Sequence, residues 1–273
     1  MLPETTGQPS DDNSISTYPI MPDRVPDVSI RQGRYLLTFA RDESQLRQVQ
    51  RLRFQIFNLE LGEGLEESMA TGLDQDRFDR VYHHLMVLDS TDGSIVGTYR
   101  LQTDDMAHSH HGFYSADEFD LSALPQEVLA SSVELGRACI SAAHRNRAVL
   151  FLLWKGLATY MVHNQKRFLF GCSSLTSQDP LEGLYIYHQL AANDHLHPAL
   201  VVPPQPGYEC FDESLVTNPG TETELPKLFR TYLRYGTKIC GIPAIDREFK
   251  TIDFFMLLDL ESLDERRYKL FFQ

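Results

Sequence analysis

Val133-Glu-Leu-Gly-Arg-Ala-Cys-Ile140 sets the architecture of this chain, because it predicts a strand that runs directly into a long helix over residues 147–165. The strand carries a carboxylate, Glu134, and a guanidinium, Arg137, among apolar neighbours. Burying either charge alone is expensive, so the two are expected to satisfy each other or to serve a function. In a regular strand they would point to opposite faces. A shared site therefore requires a bulge, which Gly136 favours.

Periodic patterns on both sides of this unit predict the rest of the architecture. Apolar or alternating runs predict strands at residues 35–39, 84–89, 94–101, 167–172, 238–242 and 251–260. Helical spacing predicts helices at residues 42–59, 179–192 and 224–236, and Asp42 and Asp179 are suited to cap the first two. Residues 73–79 and 104–112 are predicted loops. The order of elements indicates a mixed α/β sheet.

Composition limits the class of protein. A chain of 273 residues, 42% of them hydrophobic, can build one large domain or two small ones. It contains no apolar run long enough to span a membrane. The net charge of −13 argues against a general nucleic-acid binder. Residues 1–30, rich in proline, serine, threonine and aspartate, are predicted to form a disordered or loosely packed arm. The 4 cysteines, without a Cys-x-x-Cys pair, are expected to be buried, reduced thiols of a cytoplasmic protein.

A series of short motifs resembles a known family in order and spacing. They are Arg51-Leu-Arg-Phe-Gln-Ile-Phe57, Asp76-Arg-Phe-Asp79, Gly97-Thr-Tyr-Arg-Leu101, Glu134-Leu-Gly-Arg137, Leu153-Trp-Lys-Gly156, Phe170-Gly-Cys-Ser-Ser174, Tyr232-Leu-Arg-Tyr-Gly236 and Asp246-Arg-Glu-Phe249. With them the chain resembles the GNAT-type ornithine N-alpha-acyltransferases. Relatives of that family are the autoinducer (acyl-homoserine-lactone) synthases and the long-chain N-acyl amino acid synthases. The resemblance implies a GNAT-like α/β fold, with a mixed, largely antiparallel central sheet flanked by helices, in a single domain over residues 31–273.

The same resemblance implies a reaction and its partners. A fatty acyl group, often 3-hydroxylated, would pass from acyl carrier protein to the α-amine of an amino acid, with ornithine favoured. The phosphopantetheine thioester of acyl carrier protein would be a co-substrate, and no tightly bound cofactor, metal or nucleic acid is expected. Such an enzyme would work in the cytoplasm and can contact the inner membrane peripherally.

Two positions depart from the family pattern. Tyr82-His83 stands where the family usually has Cys-Asp, and Asn146-Arg147 stands where a glycine commonly follows the asparagine. A side chain at the second position would crowd the diphosphate of coenzyme A. The sequence therefore favours acyl carrier protein over acyl-CoA as the donor.

Acyl transfer to an amine requires a proton acceptor, and Glu134 is the candidate base, acting directly or through water. Burial would raise its pKa toward the useful range, while Arg137 would lower it. Neither a Ser-His-Asp order nor a Gly-x-Ser-x-Gly elbow is present, so the amine is expected to attack the thioester directly. The alternative for the two charges is a structural ion pair.

Several charged side chains are candidates for catalysis or for binding the amino acid. Arg100 can clamp a carboxylate, or it can simply pair with an aspartate. Asp76 and Asp79 can bind the α-ammonium or shape the rim of the acyl channel, or they can form a solvated acidic turn. Asp246, with Asp253, can hold the side-chain amine of ornithine, or it can have a structural role.

Other candidates follow from the resemblance and from their position. The resemblance implies that Arg53 and Phe57 line the site, although an arginine in a helix is most often solvated. Ser173 and Ser174 follow a predicted strand end. They can bond pantetheine or substrate, or form a turn into a helix.

The donor is expected to make three kinds of contact. Arg145 and Asn146 precede the long helix, whose first N–H groups attract phosphate, so they are predicted to bind the phosphopantetheine phosphate or else to cap the helix. An acyl tunnel, or ordinary core packing, is predicted for Phe151, Leu152, Trp154 and Phe170. A basic docking patch for the acidic carrier, or scattered surface charge, is predicted for Arg47, Arg51, Arg145, Arg147, Lys155, Lys166 and Arg167.

Other functions remain open at this point. The histidines at 83, 84, 108, 110 and 111 lack the spacing of a zinc site, so a metal centre is not favoured. The enzyme can act on a different amine, such as S-adenosylmethionine or another amino acid. A non-catalytic module that binds acyl groups or the carrier protein is the other alternative.

Overall fold

A mixed sheet organises residues 18–211 and 224–272, the parts of the chain that the computed structural model describes. The nine strands in these ranges are β1 (Ile30–Gln32), β2 (Tyr35–Phe39), β3 (His83–Asp89), β4 (Ile95–Thr103), β5 (Ser132–Ile140), β6 (Phe168–Leu175), β7 (Lys238–Ile239), β8 (Ala244–Asp246) and β9 (Thr251–Asp259). The α-helices are α1 (Glu43–Phe54), α2 (Ser68–Thr71), α3 (Asp104–Ser109), α4 (Gln126–Ala130), α5 (Arg147–His163), α6 (Pro180–Ala192), α7 (Lys227–Arg234) and α8 (Glu265–Phe272). A π-helical turn, Gln55–Glu60, continues α1.

The order of the strands combines hairpins with one crossover. The strands lie in the order β1-β2-β3-β4-β5-β6-β9-β7, and β8 also pairs with β9. Every paired set is antiparallel except β5 and β6, which are parallel. Parallel neighbours need a crossover connection, which α5 supplies. The predicted mixed, largely antiparallel sheet flanked by helices is therefore confirmed.

The two faces of the sheet differ because side chains alternate along each strand. On one face, Val133 and Leu169 join the main apolar core together with residues of α5, α6 and α7. Gly156 allows α5 to approach the sheet closely, since a Cβ at this position would overlap the side chain of Leu85. On the other face, Glu134 is bonded to Ser115 in the segment between β4 and β5. This second face carries the polar residues of interest.

Most predicted elements are present, and the strongest agreement is at the helix starts. The carboxylate of Asp42 accepts from the N–H of Gln45 at 2.8 Å, and that of Asp179 accepts from the N–H of Leu181 at 2.9 Å. Residues 104–109, predicted as part of a loop, form α3 instead, and neither β1 nor α8 was predicted. Such short elements contain too few residues to show a period. In the described ranges no helix is both long and apolar enough to cross a membrane.

The predicted N-terminal arm is only partly described, and the described part is packed. Residues 1–17 lie outside the described ranges. From residue 18 onward the prediction of a disordered or loosely packed arm is wrong, because Tyr18, Ile20 and Val25 are buried. Nε2 of His83 also donates to the carbonyl oxygen of Ile20 at 2.8 Å. The burial of these three apolar side chains holds the segment against the rest of the protein despite its polar composition.

Candidate active site

Strand β5 bulges at Arg137. Thr98 pairs with Cys139 and Arg100 pairs with Gly136, so two residues of β5 lie opposite one residue of β4. Arg137 has a φ of 49°, in the left-handed region that residues other than glycine rarely adopt. The structure therefore has the predicted bulge, with the strained residue one position after Gly136. The extra residue turns Arg137 to the face of the sheet on which Glu134 lies.

Glu134 and Arg137 meet at Tyr114 rather than at each other. The backbone N–H of Tyr114 donates to Glu134 at 2.9 Å, and the guanidinium of Arg137 lies 5.0 Å from the centre of the Tyr114 ring. The alternative of a structural ion pair between the two charges does not hold, because the bulge directs the guanidinium toward a separate group of aspartates.

The carboxylate of Glu134 is buried and accepts hydrogen bonds on both of its oxygens. Oε1 accepts from the N–H and the hydroxyl of Ser115 at 2.7 and 2.6 Å, and Oε2 accepts from the N–H of Tyr114 and the hydroxyl of Tyr82. Burial raises the pKa of Glu134 above its ordinary value, although these hydrogen bonds oppose the rise. A carboxylate offers about four lone-pair sites. Direct proton transfer from a substrate to Glu134 is therefore not available in this arrangement.

Three arginines and three aspartates form a buried network beside Glu134. Its members are Arg53, Arg100, Arg137, Asp74, Asp76 and Asp79. Arg53 contacts Asp74 at 2.6 Å and Asp79 at 2.7 Å, and Arg100 contacts Asp76 at 2.6 Å and Asp79 at 3.1 Å. Arg137 contacts Asp76 at 3.2 Å and Asp74 at 3.6 Å. The three positive and three negative charges balance inside the network.

The network changes the roles expected of its members. Burial would raise the pKa of Asp79, but Arg53 and Arg100 together hold it well below its ordinary value. Asp79 is therefore a buried, neutralised anion that cannot bind an ammonium, and Asp76 is neutralised by Arg100 and Arg137. The side chain of Arg100 is only 1% exposed, so it is the partner of the aspartates and not an open carboxylate clamp. Arg137, 9% exposed, is the arginine of the network nearest to being open.

A cleft begins where β5 and β6 separate. The two parallel strands pair only from Ser132 with Phe168 to Glu134 with Phe170, although both continue. Gly171 follows at the point of separation, where a Cβ would overlap the carbonyl oxygen of Leu135. A narrow apolar cavity opens there, lined by Leu135, Trp154, Leu169, Phe170, Gly171, Cys172, Tyr232, Thr237, Met256 and Leu258. Two of the residues predicted for an acyl tunnel, Trp154 and Phe170, line it.

Comparison of the sequence with known proteins identifies the family of the chain. A model of the acetyltransferase (GNAT) domain matches residues 52–155. The chain is 31% identical over 247 residues to L-ornithine N(alpha)-acyltransferase of Brucella abortus, covering 86% of this chain and 88% of that protein. It is 30% identical over 253 residues to the protein of the same name from Rhodobacter capsulatus, covering 87% of this chain and 94% of that protein. The chain belongs to the L-ornithine N(alpha)-acyltransferase family. The family membership confirms the resemblance inferred from the motifs.

The family and the GNAT domain identify the chain as an acyltransferase with the GNAT fold. Among solved structures, the CoA-dependent acyl-homoserine lactone synthase BjaI, with SAM and isopentyl-CoA, is similar at a TM-score of 0.47 and 13% sequence identity, covering 84% of this chain and 81% of that one.

The departures from the family pattern have clear places in the fold. The hydroxyl of Tyr82 donates to Glu134 and accepts from the N–H of Tyr114 at 3.0 Å. Asn146 caps α5, with its side-chain oxygen accepting from the N–H groups of Ala148 and Val149 at 3.0 and 3.2 Å. These two N–H groups are therefore already bonded, so the predicted binding of phosphate by Asn146 is wrong and the capping alternative holds.

The remaining family-based candidates lie at the edges of this site. Arg145 is exposed and pairs with Glu60 at 2.5 Å, so it joins the start of α5 to the turn that follows α1. Arg53 is fully buried in the arginine–aspartate network, where it pairs with Asp74 and Asp79 and is not accessible to substrate. Phe57 is half-buried on the same turn as Glu60, packed with Leu52, Ile56 and Cys139.

The two serines of β6 point to opposite faces. β6 pairs regularly with β9, so Ser173 and Ser174 alternate. Ser173 is buried and lies on the same face as Leu169, in the main core, whereas Ser174 is exposed opposite Asp253, on the face of Cys172 and Phe170. The expectation that both contact substrate is wrong, because a regular strand cannot present consecutive side chains to one site.

Several residues of the site were missed by the sequence analysis. They are Asp74, Tyr114, Ser115 and Glu118, and Tyr82 was noted only as a departure. Asp74 stands within the acidic loop next to the quoted Asp76 motif, so its charge was a usable signal. Tyr114, Ser115 and Glu118 lie in an irregular segment between β4 and β5, where neither periodicity nor motif marks them. Asp246 lies at the end of β8, buried beside Asp253 and Glu118.

Proposed function

We propose that this enzyme transfers a fatty acyl group, including 3-hydroxylated chains, from acyl carrier protein to the α-amine of ornithine. The observation that carries the proposal is the cleft between β5 and β6, with an apolar cavity at its base and Glu134 at its edge. Relatives that match nearly the whole chain are named L-ornithine N(alpha)-acyltransferases, which supports ornithine as the acceptor.

The separated strands suit a phosphopantetheine thioester. Beyond Glu134 the edge of β5 that faces β6 makes no pairs with it, so its backbone groups can bond the amides of pantetheine. The apolar cavity supplies a surface for the acyl chain. Asn146 bonds the N–H groups of Ala148 and Val149 at the start of α5, and Arg147 stands where a glycine commonly follows the asparagine, so a coenzyme A diphosphate would be crowded there. This crowding favours the carrier protein as the donor.

Proton transfer is proposed to pass through Ser115 to Glu134. The hydroxyl of Ser115 donates to Glu134 at 2.6 Å and accepts from the thiol of Cys172 at 3.7 Å, and Cys172 lines the cavity. The amine of the acceptor would give its proton to the Ser115 oxygen while the serine proton moves to Glu134. The raised pKa of Glu134 suits a base of this kind.

The amine would then attack the thioester carbonyl directly. A C–N bond forms, the C–S bond breaks, and the pantetheine thiolate leaves and takes up a proton. Burial, together with Glu118 and Asp253, raises the pKa of the Cys172 thiol well above its ordinary value, so it stays protonated and is a poor nucleophile. This argues against an acyl-enzyme on Cys172. Arg137, the least buried arginine of the network, is proposed to bind the α-carboxylate.

The test is an assay of the purified protein with acyl carrier protein thioesters of several chain lengths and a panel of amines. The panel includes ornithine, lysine, glutamine, tyrosine and S-adenosylmethionine, and products are identified by mass spectrometry. N-acyl-ornithine as the main product supports the proposal. A lactone or a different N-acyl amino acid as the main product would show that the acceptor is not ornithine. Binding of the thioester without any product would show that the protein is a non-catalytic module.

Ser115→Ala tests the proposed proton path. We expect kcat to fall by about 10²- to 10⁴-fold, the usual contribution of general base catalysis. Ser109→Ala, at an exposed serine of α3, is the matched control and should keep full activity. Unchanged kcat in Ser115→Ala would show that the proton takes another route.

A further inference from the structure

A second group of buried acids lies beside the proposed site. Glu118, Asp246 and Asp253 each offer a carboxylate oxygen, and these oxygens lie within 4.8 Å of one another. All three residues are more than nine-tenths buried. They come from the segment before α4, from β8 and from β9, so the fold and not a local turn brings them together.

The charge of this acidic trio is not balanced, in contrast to the arginine–aspartate network. Oε2 of Glu118 and Oδ1 of Asp253 are buried and receive no hydrogen bond from the described residues. Arg137 faces Glu118 but is itself paired with Asp76 and Asp74. Burial, and then Asp253 and Asp246, raise the pKa of Glu118 well above its ordinary value. A buried group of this kind requires a cation or a shared proton.

The trio adjoins the proposed path of the acceptor. Asp253 lies opposite Ser174 on β6, beyond the point where β5 and β6 separate. Asp246 accepts from the N–H of Phe249 at 2.9 Å, and the ring of Phe249 lies 3.8 Å from the guanidinium of Arg137. Phe249 therefore contacts both Asp246 of the trio and the arginine proposed to bind the α-carboxylate.

We propose that Glu118, Asp246 and Asp253 bind the side-chain ammonium of the acceptor and so select a diamino acid. The inference rests on the proposed function and extends it to specificity. An ammonium group has three donors, which matches three carboxylates that each offer one oxygen. Oδ1 of Asp246 is already bonded to the N–H groups of Glu248 and Phe249, leaving its second oxygen for the ligand.

An ammonium fits the trio better than a divalent metal. Calcium and magnesium prefer six or more oxygen ligands, including water, whereas this group is buried and offers three carboxylates. Glu63, a further buried carboxylate near Asp253, accepts a hydrogen bond from the hydroxyl of Thr176. With the α-carboxylate at Arg137, the side chain of the acceptor would extend past Phe249 to the trio.

The experiment compares ornithine with norvaline, which has the same carbon chain without the second ammonium. The wild-type enzyme, Glu118→Gln and Asp253→Asn are assayed with one acyl carrier protein thioester. We expect kcat/KM for ornithine to fall about 10- to 100-fold in each variant, while that for norvaline changes less than about threefold. Glu127→Gln, an exposed glutamate of α4, is the matched control and should leave both values unchanged.

A second readout does not depend on turnover. Ornithine should raise the Tm of the wild-type protein more than norvaline does, and Glu118→Gln should remove the difference. Variants that keep the wild-type preference for ornithine would overturn the inference while leaving the proposed function intact. Activity that requires added magnesium or calcium after EDTA treatment would also overturn it, in favour of a metal site. Absence of product from every amine would instead refute the proposed function.

Discussion

At the scale of single residues, the surroundings of Glu134 decide what it can do. Four donors hold its carboxylate, and the hydroxyls among them belong to Ser115 and Tyr82. The same carboxylate in an open cleft could take a proton directly. Here its buried position would make it, in the proposed proton path, a final acceptor that depends on the neighbouring hydroxyl of Ser115.

Tyr82→Phe should shift the pH dependence of catalysis. The Tyr82 hydroxyl donates to Glu134 and lowers its pKa, so its removal raises that pKa further. Because the base acts in its ionised form, the acidic limb of the kcat profile should move to higher pH, with activity largely retained on the alkaline side. Profiles of kcat against pH check this. Tyr268→Phe, on the exposed surface of α8, serves as the control. If the acidic limb of the kcat profile does not move in Tyr82→Phe, Glu134 is not the base.

Arg53→Ala should destabilise the fold rather than alter substrate binding. The guanidinium is 0% exposed and bonded to Asp74 and Asp79, so its loss removes the nearest cation from both carboxylates and leaves the buried network with one uncompensated negative charge. We expect the free energy of unfolding to fall by about 3–5 kcal/mol. Urea denaturation measures this. Arg47→Ala, on the exposed side of the same helix, should change stability by less than about 0.5 kcal/mol. A similarly small change in the free energy of unfolding of Arg53→Ala would contradict a stabilising role for the Arg53 ion pairs.

At the scale of secondary structure, the bulge and the separation of β5 from β6 create the site together. The bulge brings Arg137 to the face of Glu134, and the separation opens the cleft beside it. Gly171 lies where the two strands separate, and only a residue without Cβ fits there against the carbonyl of Leu135. Strand geometry therefore sets the width of the cleft.

Gly171→Ala should damage both the cleft and the fold. Its Cβ would force β5 and β6 apart or distort the carbonyl of Leu135. We expect a loss of about 1–3 kcal/mol in stability and a raised KM for the acyl donor. Gly136→Ala is the matched control on the adjacent strand, since a Cβ there meets nothing within 4 Å. Thermal denaturation and donor kinetics measure the two effects; equal behaviour of the variants would argue against a closely packed cleft.

At the scale of the whole molecule, charge would limit how the proposed carrier protein docks. The chain has a net charge of −13 and a carrier protein is acidic, so the proposed docking would need a local basic surface. Arg145 and Arg147 are exposed at the start of α5. This helix follows β5 after a short connection that contains the 3-10 turn Ala142–His144, which puts the two arginines near the end of the strand that borders the cleft.

Arg147→Glu should impair use of the carrier protein but not of a small thioester. We expect KM for acyl carrier protein thioester to rise by roughly tenfold at low ionic strength and the effect to shrink at high salt. KM for an acyl-pantetheine thioester should stay unchanged. Arg266→Glu, on exposed α8, is the control. An equal rise in KM for both donors would place Arg147 in the thioester site instead of the docking surface.

The sequence by itself determined the order of the main elements, the caps at Asp42 and Asp179, the family and the need for a bulge near Gly136. These depend on local periodicity, on single side chains and on motifs, all of which are contiguous in the chain. Only the tertiary structure decided that Arg137 pairs with aspartates, that Asp79 is neutralised, and that Glu118 joins Asp246 and Asp253. Whether a charge is free or paired depends on partners far away in sequence and on burial, because desolvation and opposite charge act through space.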